Sequence, residues 1–280
     1  MLKAKLMEPI RVENWKDFQN KIQAISDEVD NKKKNKAFLV SDLLFRGQPN
    51  LELTTTLDRY VNKPIKLDEY YWMILIVKAQ IETFTGHTWE IPSYEEFIDQ
   101  SSKTDMHFLN DLFSKPALYS YLAYLRHHGF PSPLLDWTKS PYVALFFAFD
   151  FEGDRDDEVA IYAYLENAGS VKITSSSAPW IKTLGPNIKT HKRHFLQQSR
   201  YSFCMQIRDS IAYFASHEEV FSNGRDGQDV RWKILIPASQ KFTFLKELDL
   251  MNINSYSLFS TEESLMKTLS LRYKLSRLAR

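Results

Sequence analysis

Apolar positions in this 280-residue chain change their spacing several times, and each change predicts a new element. Trp15, Phe18, Ile22 and Ile25 recur at intervals of three and four, which puts them on one face of a helix capped by Asn14. Asp30 to Lys36 is polar and basic and reads as a solvated loop. Ala37-Phe38-Leu39-Val40 and Leu43-Leu44-Phe45 then have the continuous apolar pattern of a buried strand, ended by Gly47 and Pro49. A long helix starts at Asp68, carries Tyr71, Trp72, Leu75, Ile76, Ala79, Ile81 and Phe84, and stops at Gly86. Shorter helices are expected over Tyr94–Phe97, over Met106–Phe113 and from Ala117 to Leu125.

The most apolar run, Tyr142 to Phe149, follows a corner of chemistry-bearing residues. Asp136, Thr138 and Ser140 can each cap a helix, and Pro141 suits its first turn, where the missing N–H costs nothing. Such a helix start aims backbone N–H groups outward and attracts anions, phosphate included; an ordinary capped core helix has the same spacing. Beyond it, Asp150 to Glu158 reads as a solvated acidic loop and Val159 to Leu165 as a central strand. Gly169 to Thr190 is Ser-rich and irregular, Tyr201, Phe203 and Met205 alternate as a strand, and Ile211 to Val220 reads as a helix or irregular turn. Asn223-Gly224 with Asp226-Gly227 suggests a hairpin loop, Arg231 to Pro237 a strand, and the tail from Gln240 a helical region. No repeat or linker interrupts the pattern. The expectation is a single α+β domain over 37–280 with a helical first half, preceded by a helical extension over 1–36.

Composition narrows the function classes. The net charge is +1, so a polyanion site has to be local, and the basic run from Lys189 to Arg200 is the candidate, with a solvated face as its plain alternative. The single Cys204 excludes an internal disulfide framework and reads as packing. No His, Cys, Asp or Glu grouping has metal-ligand spacing, and no metal is predicted. No secretory signal and no membrane-length apolar run are present, which suits a cytoplasmic protein without a membrane partner. Gly-rich phosphate loops and a Gly-x-Ser-x-Gly elbow are absent, which argues against triphosphate hydrolysis and ordinary esterase chemistry. Arg46, at the strand end, can clamp a phosphate or carboxylate with two prongs; a surface ion pair is the plain alternative. His127 and His128 are adjacent, so in an extended segment only one of them reaches a given site.

At Phe45-Arg46-Gly47-Gln48, His127-His128-Gly129-Phe130-Pro131 and Leu134-Leu135-Asp136-Trp137-Thr138, and on through Ser140 to Ala148, the sequence resembles the FRG-domain family. Arg193 and Gln197 ahead of Tyr201, and Ile234 to Pro237, carry the resemblance across most of the chain. Ser132-Pro133 stands where the family usually has Thr-Arg, and Ser199 where a Gly is expected. The pattern is in turn similar to that of ADP-ribosyltransferase toxins. It implies a split antiparallel or mixed β-sheet and an NAD-dependent ADP-ribosyltransferase, a bacterial toxin or anti-phage effector that modifies a macromolecule. RNA is the favoured acceptor because of the basic run, and an antitoxin is the implied protein partner. The resemblance places Arg46, Asp136, His127 and Gln197 in the catalytic group. Arg46, Gly47, Gln48, Thr138, Ser140 and Arg193 then hold NAD. Gln197 stands near where a glutamate is expected, Glu218 and Glu219 are later candidates, and Asp136 could supply the carboxylate instead. Two alternatives stay open: a non-catalytic nucleotide- or ADP-ribose-binding module, and an RNA-processing nuclease using His127 and Asp136.

Overall fold

The computed structural model describes residues 8–278 except 62, 102–104, 154, 176–177, 186–187 and 223–226. A short strand β1 (Ile10–Arg11) leads into helix α1 (Trp15–Lys36). The Asn14 side chain accepts the Asp17 N–H and caps its first turn. The helix runs on through the expected 30–36 loop, because Val29 prolongs its buried face and Glu28–Lys32 and Asp30–Lys33 pair at helical spacing. Residues 37–39 form a 3-10 turn with Phe38 exposed, so the buried strand begins later than expected, as β2 (Leu43–Gln48).

Helix α2 (Thr56–Tyr60) is closed by a reciprocal box in which Thr55 Oγ1 accepts the Asp58 N–H and the Asp58 carboxylate accepts the Thr55 N–H. Helix α3 (Leu67–Thr85) stops where expected, at Gly86 with φ 69°. Helices α4 (Tyr94–Ser101), α5 (Met106–Ser114) and α6 (Pro116–His127) complete the helical block. Then come β3 (Leu135–Thr138), α7 (Pro141–Ala148), β4 (Glu158–Asn167), β5 (Trp180–Leu184), α8 (Lys192–Leu196), β6 (Ser199–Arg208), β7 (Ile211–Phe214), α9 (His217–Ser222) and β8 (Gln228–Pro237). Helices α10 (Lys241–Leu250), α11 (Ser255–Phe259) and α12 (Glu262–Leu278) form the tail. Two expectations are corrected here: the Ser-rich 169–190 segment contains strand β5, and 211–220 begins as strand β7. The dipeptide Asn223-Gly224, expected at a hairpin loop, lies outside the described residues together with Asp226.

The described strands form one mixed sheet in the order β1-β8-β4-β2-β3-β6-β5, with β7 paired to β6. Only the β1–β8 pairing is parallel among them. The fold is therefore α+β with β4, fully apolar over Val159–Leu165, inside the sheet. Strands β2 and β3 meet at a single pair, Phe45 opposite Thr138. From there β2 stays with β4 through six pairs, and β3 with β6 through four.

Two large cores stand on either side of that divergence, and a smaller third, with Leu44 of β2, Trp137 of β3, Tyr164 of β4 and Cys204 of β6, spans it. One joins Phe18, Ile22 and Ile25 of α1 to Ala144, Leu145 and Ala148 of α7, to alternate residues of β4 and β8, and to Phe244. The stretch from Ile10 to Val29 is thus packed into the core of the sheet. The other joins α3 to α6 with Tyr201, Phe203 and Met205 of β6 and Phe214 of β7. No helix among the described residues is long and apolar enough to cross a membrane.

Candidate functional site

Where β2 and β3 part, a cleft of about 600 Å³ opens, lined from both helical blocks. Arg46, Gly47 and Gln48 of β2, Asp136 and Thr138 of β3, His127 of α6, and Arg193 and Gln197 at α8 all line it. So Arg46 and Asp136, ninety positions apart, do come together: Arg46 Nη1 donates to the Asp136 carbonyl at 2.9 Å and lies 4.0 Å from its carboxylate. The guanidinium occupies the seam where ladder pairing stops and satisfies a carbonyl the sheet leaves open. Burial lowers its pKa to about 10, and the nearby Asp136 opposes that shift.

The carboxylate of Asp136 is held mainly by Arg126, whose Nη2 stands 2.5 Å from Oδ2. The other oxygen, Oδ1, is buried without a hydrogen-bond partner among the described residues, and so are Arg126 Nε and Arg193 Nε. Unsatisfied buried groups of this kind are rare, and three of them fall in this one neighbourhood. The Arg193 guanidinium lies over the Phe259 ring at 5.2 Å, which seats it on the cleft wall.

Arg126, Arg59, Glu52 and Asp150 line the cleft without having been singled out in the sequence. Arg126 could have been found, since it directly precedes His127 at the end of an apolar helix. Arg59 arrives by docking. Ser132 accepts the Leu57 N–H through its carbonyl, and its own N–H bonds Thr56 Oγ1, which fixes α2 against the segment before β3. Arg59 then donates to the Thr54 carbonyl at 3.1 Å, and its pKa is lowered, chiefly by burial and next by Arg126. Glu52 sits on a loop tied by side chains: Gln48 Nε2 donates to the Asn50 and Glu52 carbonyls, and Tyr162 and Lys233 donate to that of Leu51.

Several expected ligand residues have other duties. Gly47 lies against α7 so closely that a Cβ there would stand 1.6 Å from the Ala144 carbonyl oxygen, so the glycine is required for packing. Gln48 Oε1 accepts from Arg46 Nε at 3.0 Å, and its amide holds the 50–52 loop, so it orients the arginine. Thr138 Oγ1 accepts the Ser140 N–H at 3.1 Å. Ser140 is not among the residues lining the cleft; its Oγ accepts the Val143 N–H and caps α7. Gln197 is buried and donates to the Leu258 carbonyl at 3.2 Å, tying α8 to α11. Glu218 pairs with Arg231, and neither it nor Glu219 lines the cleft.

His127 ends α6 and His128 is its C-cap, so helix geometry, not strand alternation, separates the two rings. His127 Nε2 lies 2.6 Å from the Tyr201 hydroxyl, and burial pushes its pKa down to about 4, so the ring is neutral at neutral pH. On the opposite side of β3, Trp137 Nε1 donates to Ser202 Oγ at 2.8 Å, and Ser202 Oγ lies 3.0 Å from Nε2 of the buried His217. Burial pushes His217 down to about 3, with Arg46 adding to the shift. Cys204 is buried and its thiol raised by burial, in keeping with a packing role.

The family model for the FRG domain matches residues 41–157. That span holds Arg46, His127 and Asp136 but ends before Arg193 and Gln197. No curated protein and no solved structure matches the chain.

Proposed function

The chain is an FRG-domain protein, and from that premise we propose that the cleft binds NAD and that the protein is an ADP-ribosyltransferase acting on a macromolecule. The observation that carries the reading is the convergence of four guanidiniums, Arg46, Arg59, Arg126 and Arg193, around the fixed carboxylate of Asp136. Arginine is the side chain suited to the phosphates of a dinucleotide, and all four of these residues line the cleft. The cleft volume is that of a cofactor site. Breaking the nicotinamide–ribose bond develops positive charge on the ribose, and the Asp136 carboxylate, fixed by Arg126 in the cleft lining, is a preorganised counter-charge for it. The parting of β2 from β3 supports a split sheet of the ADP-ribosyltransferase type.

The acceptor is a polyanion, RNA in this reading. From Asn167 to Arg208 the sequence has no Asp or Glu, while Lys182, Lys189, Lys192, Arg193, Arg200 and Arg208 fall within it. A toxin or anti-phage effector with this chemistry in the cytoplasm needs restraint in its own cell, which is the place for an antitoxin partner.

A second reading, a nucleotide-binding module without turnover, is favoured by the two arginines that already occupy Asp136. Purified protein with NAD separates the readings. Release of nicotinamide, lost in Arg46→Ala and Asp136→Asn, supports transfer. Saturable NAD binding with no release on any acceptor sinks it in favour of the binding module. Shortening of RNA without NAD sinks both and leaves nuclease chemistry at His127 and Asp136.

A further inference from the structure

The Tyr201 hydroxyl, buried on β6, has two imidazole neighbours: His127 Nε2 at 2.6 Å and His194 Nδ1 at 3.3 Å. The His194 and Tyr201 rings stack with centroids 5.6 Å apart, and Tyr119 packs edge-on to Tyr201 at 5.9 Å, so the phenol is held from both sides. Burial keeps Tyr201 well above its ordinary pKa, and the oxygen carries one proton to give. At 2.6 Å the His127 contact is the shorter of the two imidazole contacts, and hydroxyl donors approach their acceptors more closely than N–H donors do. This geometry suits a Tyr201 proton directed at His127 Nε2, with Ser199, which also hydrogen-bonds the phenol, and His194 Nδ1 left to donate to the same oxygen. Nε2 of His127 being an acceptor, its proton is on Nδ1. No hydrogen bond to that atom is found among the described residues, and its ring lines the cleft.

We infer that Tyr201 is a positioning residue that locks neutral His127 with its proton on Nδ1, so that the ring offers the cleft a hydrogen-bond donor for an oxygen of the bound nucleotide and not a base. Free imidazole prefers the opposite tautomer, so the lock is a property of the β6 hydroxyl. The charges around the ring agree with a neutral donor: Asp136 is offset by Arg126 and Arg193, with His191 beside them. The role in ligand binding rests on the cleft being a nucleotide site; the tautomer does not.

Two experiments test it on the full chain. With 15N-labelled histidine, long-range proton–nitrogen correlation spectra of the free protein show His127 as the Nδ1–H form, and Tyr201→Phe converts it to Nε2–H. An Nε2–H signal in the unsubstituted protein, or no change in Tyr201→Phe, overturns the lock. Calorimetry with NAD then compares His127→Asn, whose amide nitrogen stands where Nδ1 stood, with His127→Gln, whose amide stands at Nε2. Asn keeps the affinity within about threefold and Gln loses about tenfold, the worth of one hydrogen bond to a buried group. The reverse order overturns the donor role and remains readable if Tyr201→Phe does not fold. Failure of the unsubstituted protein to bind NAD removes the nucleotide reading, while the spectra still decide the tautomer.

Discussion

Arg46 illustrates how one side chain serves the sheet and the cleft together. Its guanidinium bonds the Asp136 carbonyl and the Gln48 amide oxygen, so Arg46→Ala leaves both short of a donor and costs about 2 kcal/mol of stability. Arg46→Lys keeps the charge but not the fork. It is expected to fold more stably than the alanine variant in urea titration while binding NAD no better. His127 and His217 make a pH prediction. Their folded pKa values, about 4 for His127 and about 3 for His217, lie below the ordinary 6.5, so the unfolded chain takes up protons that the folded one refuses. Their stabilisation is complete above 6.5 and is lost as the pH falls from there toward those folded values, at about 1.4 kcal/mol per pH unit for each ring. Substituting His217→Gln, whose amide can still accept from Ser202, reduces the loss of stability between about pH 7 and about pH 5 by about 2 kcal/mol in chemical denaturation. An unchanged pH slope would remove His217 from this account. Arg46, Asp136 and His127 were legible in the sequence because they flank glycines, prolines and a capped apolar helix. Arg59 and Glu52 were not, because the docking of α2 and a looped main chain bring them in, and neither leaves a local pattern.

Among the elements, α7 against β2 sets the position of the cleft floor. Adding one methyl at Gly47 collides with the Ala144 backbone, so Gly47→Ala is expected to cost about 3 kcal/mol or more, read as a lower urea midpoint. Ser140→Ala removes the cap of α7 and costs about 1 kcal/mol, yet leaves NAD affinity unchanged because the hydroxyl does not line the cleft. A fall in affinity matching the loss of Arg46 would instead place Ser140 in the binding site. Helices α3, α5 and α6 and strands β4, β6 and β8 follow from hydrophobic spacing, since each has a long buried face. β5 and β7 escaped because they are short and border irregular segments, and because Lys182 and Thr183 break the apolar run of β5. The end of α1 escaped for the opposite reason. Its last turns are polar on every exposed side, and only Val29 shows that the helix continues inward.

For the whole molecule, the cleft lies where β2 and β3 diverge between two large cores, so a ligand seated there stabilises both together. NAD at about a hundred times its dissociation constant adds about 2.7 kcal/mol, and the thermal midpoint rises with ligand in a single transition. Two separate transitions, or a midpoint indifferent to NAD, would contradict a site shared by the two blocks. The overall class was readable from the chain, but the two-core division was not, since it depends on which faces of β4 and β6 meet which helices. The lone Phe45–Thr138 ladder pair also gives the molecule a mechanical grain. Thermal motion that spreads the arms meets one rung and the Arg46–Asp136 hydrogen bond there, against six rungs on one flank and four on the other, so opening starts at that line. Anything seated across it with donors from both arms works as a splint, and deuterium uptake by the flanking amides is the gauge of whether it is in place.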